Sequence, residues 1–141
     1  MVRQRIISKN HAVGENALSS NTTGNYNCAF GDYALSQNTD STYDNAFGLN
    51  ALYSAIGFGN NGFGSETLMF VGLGIENTAI GDFAGDNVDG DYNICIGAGV
   101  GGNSGENNAI HIGDHLPDDP GASACSLAEL MVRRRLAARL F

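Results

Sequence analysis

One phrase recurs seven times in this chain, and its period constrains the fold more than any other feature. Anchored on glycine, it falls at Gly14, Gly31, Gly48, Gly64, Gly81, Gly97 and Gly113, always 16 or 17 residues apart. The residue before each glycine is apolar and mostly bulky: Val13, Phe30, Phe47, Phe63, Ile80, Ile96 and Ile112. The residue two before is mostly small: Ala12, Ala29, Ala46, Gly62, Ala79 and Cys95, with His111 as the exception. Four before stands Asn10, Asn27, Asp44, Asn60, Asn77 or Asn93. After the glycine come Ala17, Ala34, Ala51, Thr67 and Ala84 at the third place. Leu18, Leu35, Leu52 and Leu68 follow at the fourth, before that column lapses to Gly85 and Gly101.

A unit this short cannot bury its own apolar side, so neighbouring units must stack. The period suits one coil of a β-solenoid, with two short strands and two turns. Segments such as SSNTTGNYN and SQNTDSTYD supply the turn residues. Helical repeats need about 33 residues or more, which argues against a helical solenoid. Strands stack about 4.8 Å apart, so the coils build a rod roughly 34 Å tall. The fold class is therefore all-β, a solenoid of about seven coils.

Side-chain alternation along a strand sends neighbours to opposite faces. The expected arrangement turns Val13, Phe30, Phe47, Phe63, Ile80, Ile96 and Ile112 inward with Leu18, Leu35, Leu52 and Leu68, as a stacked core. The small columns then face outward. Ala12, Ala29, Ala46, Gly62, Ala79, Cys95 and His111 become the surface on which another copy packs. Two smooth outer faces suit a closed ring with heterologous contacts, and a threefold ring is the smallest natural solution. A monomeric roll is the alternative.

NTAIGDFAG, NICIGAGVGG and NNAIHIGD resemble the head repeats of trimeric autotransporter adhesins. The NxAxGxxAL units with NTTG turns are similar to repeats in phage tail-fibre and tail-fibre-like proteins. The resemblance spans about residues 10–125. It implies a trimeric left-handed β-roll or β-helix, a structural or attachment module without catalysis or cofactor. It also implies a cell-surface or virion location, and a surface glycan or protein as partner.

Charge narrows the partners. The formal net charge is −8, which argues against nucleic acid and anionic membranes. No apolar run approaches a membrane span of about 20 residues, and the basic start MVRQRIISKN shows no signal peptide. The three cysteines, Cys28, Cys95 and Cys125, do not make a disulfide framework. Cys28 and Cys95 fall four coils apart, about 19 Å, too far for a bond.

The expected organisation is a lead-in over 1–9, repeats over 10–116, a linker over 117–125 and a C-terminal helix over 126–141. The last segment, SLAELMVRRRLAARLF, has a capping box in Ser126 and Glu129 and strong helix formers after it. It is expected to cover the open end of the roll.

Chemical candidates are few. His111 in three copies about an axis is a possible metal or anion ligand, weighed against a lone histidine tolerated near the rod's end. Asp86, Asp89 and Asp91 carry the carboxylates a Ca²⁺ site uses, but their spacing matches neither an EF-hand loop nor the calcium-binding nonapeptide repeat and suits solvated turns. GAGVGG lacks the helix a dinucleotide loop requires. Catalysis is not expected. The alternative is a trimeric β-helix enzyme, acyltransferase-like or glycan-degrading, with its site at chain interfaces.

Overall fold

A computed structural model describes residues 9–101 and 104–113, and the backbone of 125–126. Seven three-residue strands stack in sequence order, all parallel: β1 (His11–Val13), β2 (Cys28–Phe30), β3 (Asn45–Phe47), β4 (Asn61–Phe63), β5 (Thr78–Ile80), β6 (Ile94–Ile96) and β7 (Ile110–Ile112). Their register is the register of the repeat, with Ala29 beside Ala46 and Phe30 beside Phe47. The chain is a β-solenoid, with no helix among the described residues.

Each coil holds one strand, not two. After the glycine the chain enters a ribbon of overlapping turns. In the second coil the amides of Ala34, Ser36 and Asn38 donate to the carbonyls of Gly31, Tyr33 and Leu35 within the coil. The intervening amides of Tyr33, Leu35 and Gln37 donate to Glu15, Ala51 and Tyr53 in the coils on either side. Alternate residues take left-handed backbone, with φ of 60° at Tyr33 and 52° at Leu35. Such a φ at the third place of a turn is what a type II turn demands, usually from glycine or asparagine. The lapse of the Leu column to Gly85 falls on the same left-handed site, with φ of 67°.

This geometry corrects the expected core. Along the ribbon, neighbours need not face opposite ways, and both Ala34 and Leu35 are fully buried. Leu18, Leu35, Leu52 and Leu68 line the interior as expected. On the strands the assignment is reversed. Ala29, Ala46, Gly62, Ala79 and Cys95 point inward, while Val13, Phe30, Phe47, Phe63, Ile80 and Ile112 stand exposed and Ile96 is half-buried. The reason is thickness. Strand and ribbon enclose a single layer of side chains, and the ribbon's leucines already fill it. A Cβ placed on Gly62 would lie 3.4 Å from Leu52 Cγ and 3.3 Å from Thr67 Cβ, so a phenyl ring has no room there.

The Asn column is the polar spine of this interior. Asn27, Asp44, Asn60, Asn77 and Asn93 are buried. Asn27 Oδ1 accepts from the Asp44 amide at 2.9 Å, and Asn60 Oδ1 from the Asn77 amide at 3.0 Å, each one coil on. Their Nδ2 groups donate to the turn carbonyls of Ser41 and Gly74, both at 2.8 Å. Every rung thus satisfies backbone groups that a narrow interior cannot hydrate. The anchor glycine is equally constrained. Gly31 and Gly48 have φ of 136° and 143°, and a Cβ on either would collide with the next coil's glycine carbonyl.

At the C-terminal end, β8 (Cys125–Ser126) pairs antiparallel with β7. Ser126, expected to open a helix, is therefore in a short strand that covers the β7 edge. Residues 127–141, where the rest of that helix was expected, lie outside the described residues.

Candidate functional site

Turning the strands over places their bulky column on the surface. The rings of Phe30, Phe47 and Phe63 stack one coil apart, with centroids 5.1 Å apart and planes within 8° of parallel. They are 36–40% exposed. Ile80 continues the ridge, and exposed Val13 and Ile112 lie at its two ends. Beside it runs the outward column three before the glycine. It is polar through Asn45, Asn61 and Thr78, with Asn45 Nδ2 donating to Asn61 Oδ1 at 2.7 Å, and turns apolar at Ile94 and Ile110.

A second outward column stands five before the glycine. Tyr26 and Tyr43 stack at 5.2 Å, and Lys9 Nζ lies 5.2 Å above the Tyr26 ring. The next places are Gly59 and Glu76, and Tyr92 follows. This column takes left-handed backbone: Tyr26, Tyr43, Glu76 and Tyr92 have φ between 54° and 65°. Where Gly59 omits the ring, a cleft of about 600 Å³ opens, lined by Tyr43, Phe58, Gly59, Asn61, Glu76 and Thr78. Sequence reading missed this column, although Tyr26, Tyr43 and Tyr92 share one repeat position.

The expected contact surface of small residues is not a surface. Ala29, Ala46, Gly62, Ala79 and Cys95 are inside a single chain, and only Ala12, in the first coil, is exposed. His111 occupies the same inward column at the last coil. Its Nε2 lies 3.0 Å from Glu106 Oε2 of its own chain. Burial pushes the Cys95 thiol up to about 11, with the charges of Glu106 and Asp86 adding to the shift. A thiol held that high is a poor nucleophile. Cys28 and Cys95 are both unbonded thiols.

The acidic turn candidates are spread rather than convergent. Asp91 Oδ1 accepts from the Ile75 amide at 3.0 Å, and Asp86 Oδ1 from Asn87 Nδ2 at 3.1 Å. Asp89 accepts from Ser104 Oγ at 2.8 Å and from the Gly105 amide, which hold its carboxyl below the usual range. Asp89 and Asp91 thus staple one coil to the next. Among the described residues no group of three His, Cys, Asp or Glu side chains is placed to hold a metal ion. No helix among them is long and apolar enough to cross a membrane.

No family model, curated protein or solved structure matches the chain.

Proposed function

We propose that the protein is a non-catalytic structural or attachment module that self-associates, as a homotrimer, through the outward ridge of its sheet. The observation that carries this reading is the Phe30–Phe47–Phe63 ladder left in contact with water. An acidic chain had every opportunity to place charge along that column. A phenyl side chain has about 200 Å² of surface, so covering the exposed part of each ring contributes ~2 kcal/mol at ~25 cal/mol per Å². The ridge is one residue wide with a polar column beside it. Around a threefold axis parallel to the roll, three such ridges meet, and each ring is covered from both sides. The resemblance to adhesin-head and tail-fibre repeats points the same way, with the contact moved from the small columns to the aromatic one.

Light scattering tests the reading directly. The parent is expected at three times the chain mass, and Phe47→Glu at a single chain with its β-sheet circular dichroism kept. A parent that is monomeric at tens of micromolar sinks the proposal, and a dimer sinks the threefold arrangement.

A further inference from the structure

The interrupted tyrosine column points to a ligand. We infer that the cleft at Gly59 binds an organic ammonium group, seated between the open face of Tyr43 and the carboxylate of Glu76. One face of the Tyr43 ring is covered by Tyr26, stacked within 8° of parallel. Its other face looks along the roll toward the next coil, where Gly59 supplies no ring. Tyr43 is 59% exposed. Two coils separate Tyr43 from Glu76 in this column, or ~9.6 Å at ~4.8 Å per strand step. A cation centred within about 6 Å of the ring centroid then lies within ion-pairing reach of the carboxylate. Phe58 forms an apolar wall beside it, suited to the methyl or methylene groups around such a nitrogen.

The same column already holds a cation at its other end, where Lys9 Nζ sits over Tyr26. The cleft repeats that geometry with two additions, a carboxylate and a second aromatic side chain. The protein's net charge of −8 also draws cations toward it. Neutral sugars would use the ring face too, but they gain little from a carboxylate at the far wall. The ammonium group has two sources, which the experiment separates: a choline-type head group or the side chain of a lysine. This inference does not depend on self-association.

The experiment titrates the 141-residue chain with choline, with Nα-acetyl-lysine methylamide, with 3,3-dimethylbutan-1-ol, the uncharged isostere of choline, and with glucose. Ring-proton chemical shifts of Tyr43 and Phe58 report binding, and light scattering follows the mass in parallel. One of the two cations is expected to bind in the millimolar range, and whichever is tighter identifies the source. Glu76→Gln, an exposed change that leaves the coil intact, is expected to weaken it at least about fivefold. Added salt should weaken the parent but barely affect the variant. Equal binding of the neutral isostere, an unchanged affinity in Glu76→Gln, or binding of glucose in preference to both cations overturns the inference.

Discussion

Gly62 and Thr67 show how tightly single residues are matched across the interior. In the coil before, the facing positions are Ala46 and Ala51, both fully buried. In the fourth coil the ribbon side gains a hydroxyl and a methyl, and the strand side loses its methyl. A Cβ on Gly62 would stand 2.6 Å from Thr67 Oγ1. Gly62→Ala should therefore cost about 1–3 kcal/mol by overpacking. Thr67→Ala beside it restores the Ala–Ala pair of the previous coil and should recover most of that loss, a coupling of roughly 1 kcal/mol or more. Denaturant melts of the two single variants and the double variant measure it, and strictly additive costs would refute the matched-pair account.

Asp44 is the other telling residue, a single acid in a spine of amides. Its Oδ1 accepts from the Asn60 amide at 2.8 Å, as an asparagine's would. Its Oδ2 cannot donate when ionised, and lies against Ser41 Oγ, which itself donates to Gly57 O at 2.6 Å. A protonated Asp44 completes this relay by donating to Ser41. Burial pushes its pKa from 3.8 up to about 6, against the opposing hydrogen bonds of Ser41 and Asn60. The folded state thus holds the proton more tightly than the unfolded chain. Its contribution is intact below about pH 4 and is lost as pH rises through about 6. Asp44→Asn removes that dependence. The stability difference between variant and parent should shift in favour of asparagine by about 2.4 kcal/mol between pH 4 and pH 7. A difference that stays flat across that range would mean Asp44 is ionised in the fold at no cost.

At the scale of the element, each three-residue strand has one tolerant side and one intolerant side. Ala46→Glu drives a carboxylate into a layer with neither water nor a partner. Its cost should exceed about 4 kcal/mol and prevent folding of the isolated coil stack. Phe47→Glu, one residue on, points outward and should leave the single chain folded. Thermal melts by circular dichroism distinguish them, and the reverse order of damage would restore the inward phenylalanines expected from simple alternation.

Across the whole molecule, stability is a sum over stacked neighbours, and the ends have fewer. The first coil shows this. His11, Ala12 and Val13 are all exposed and Leu18 retains 9% of its surface, whereas Leu35 and Leu52 retain none. Native-state hydrogen exchange should find the amides of Asn60 and Asn77 among the slowest and that of His11 much faster, although each is hydrogen-bonded. Uniform protection from β1 to β7 would indicate a single cooperative unit rather than a stack.

The sequence by itself determined the coil, its length and its register. A glycine every 16 or 17 residues, with asparagine four before it, is dictated by local backbone demands that each repeat states afresh. The inward leucines were legible for the same reason. Which side of the strand faced inward was not, because that depends on the space left by the opposite wall. Period-two alternation says only that Ala46 and Phe47 face opposite ways. The ribbon, whose left-handed residues are mostly leucine, tyrosine, asparagine and glutamate, with glycine at Gly85 and Gly99, decides that the gap admits a methyl group and not a ring. That choice, made by packing between segments rather than within one, also places the phenylalanine ridge and the tyrosine cleft on the outside, where partners can reach them.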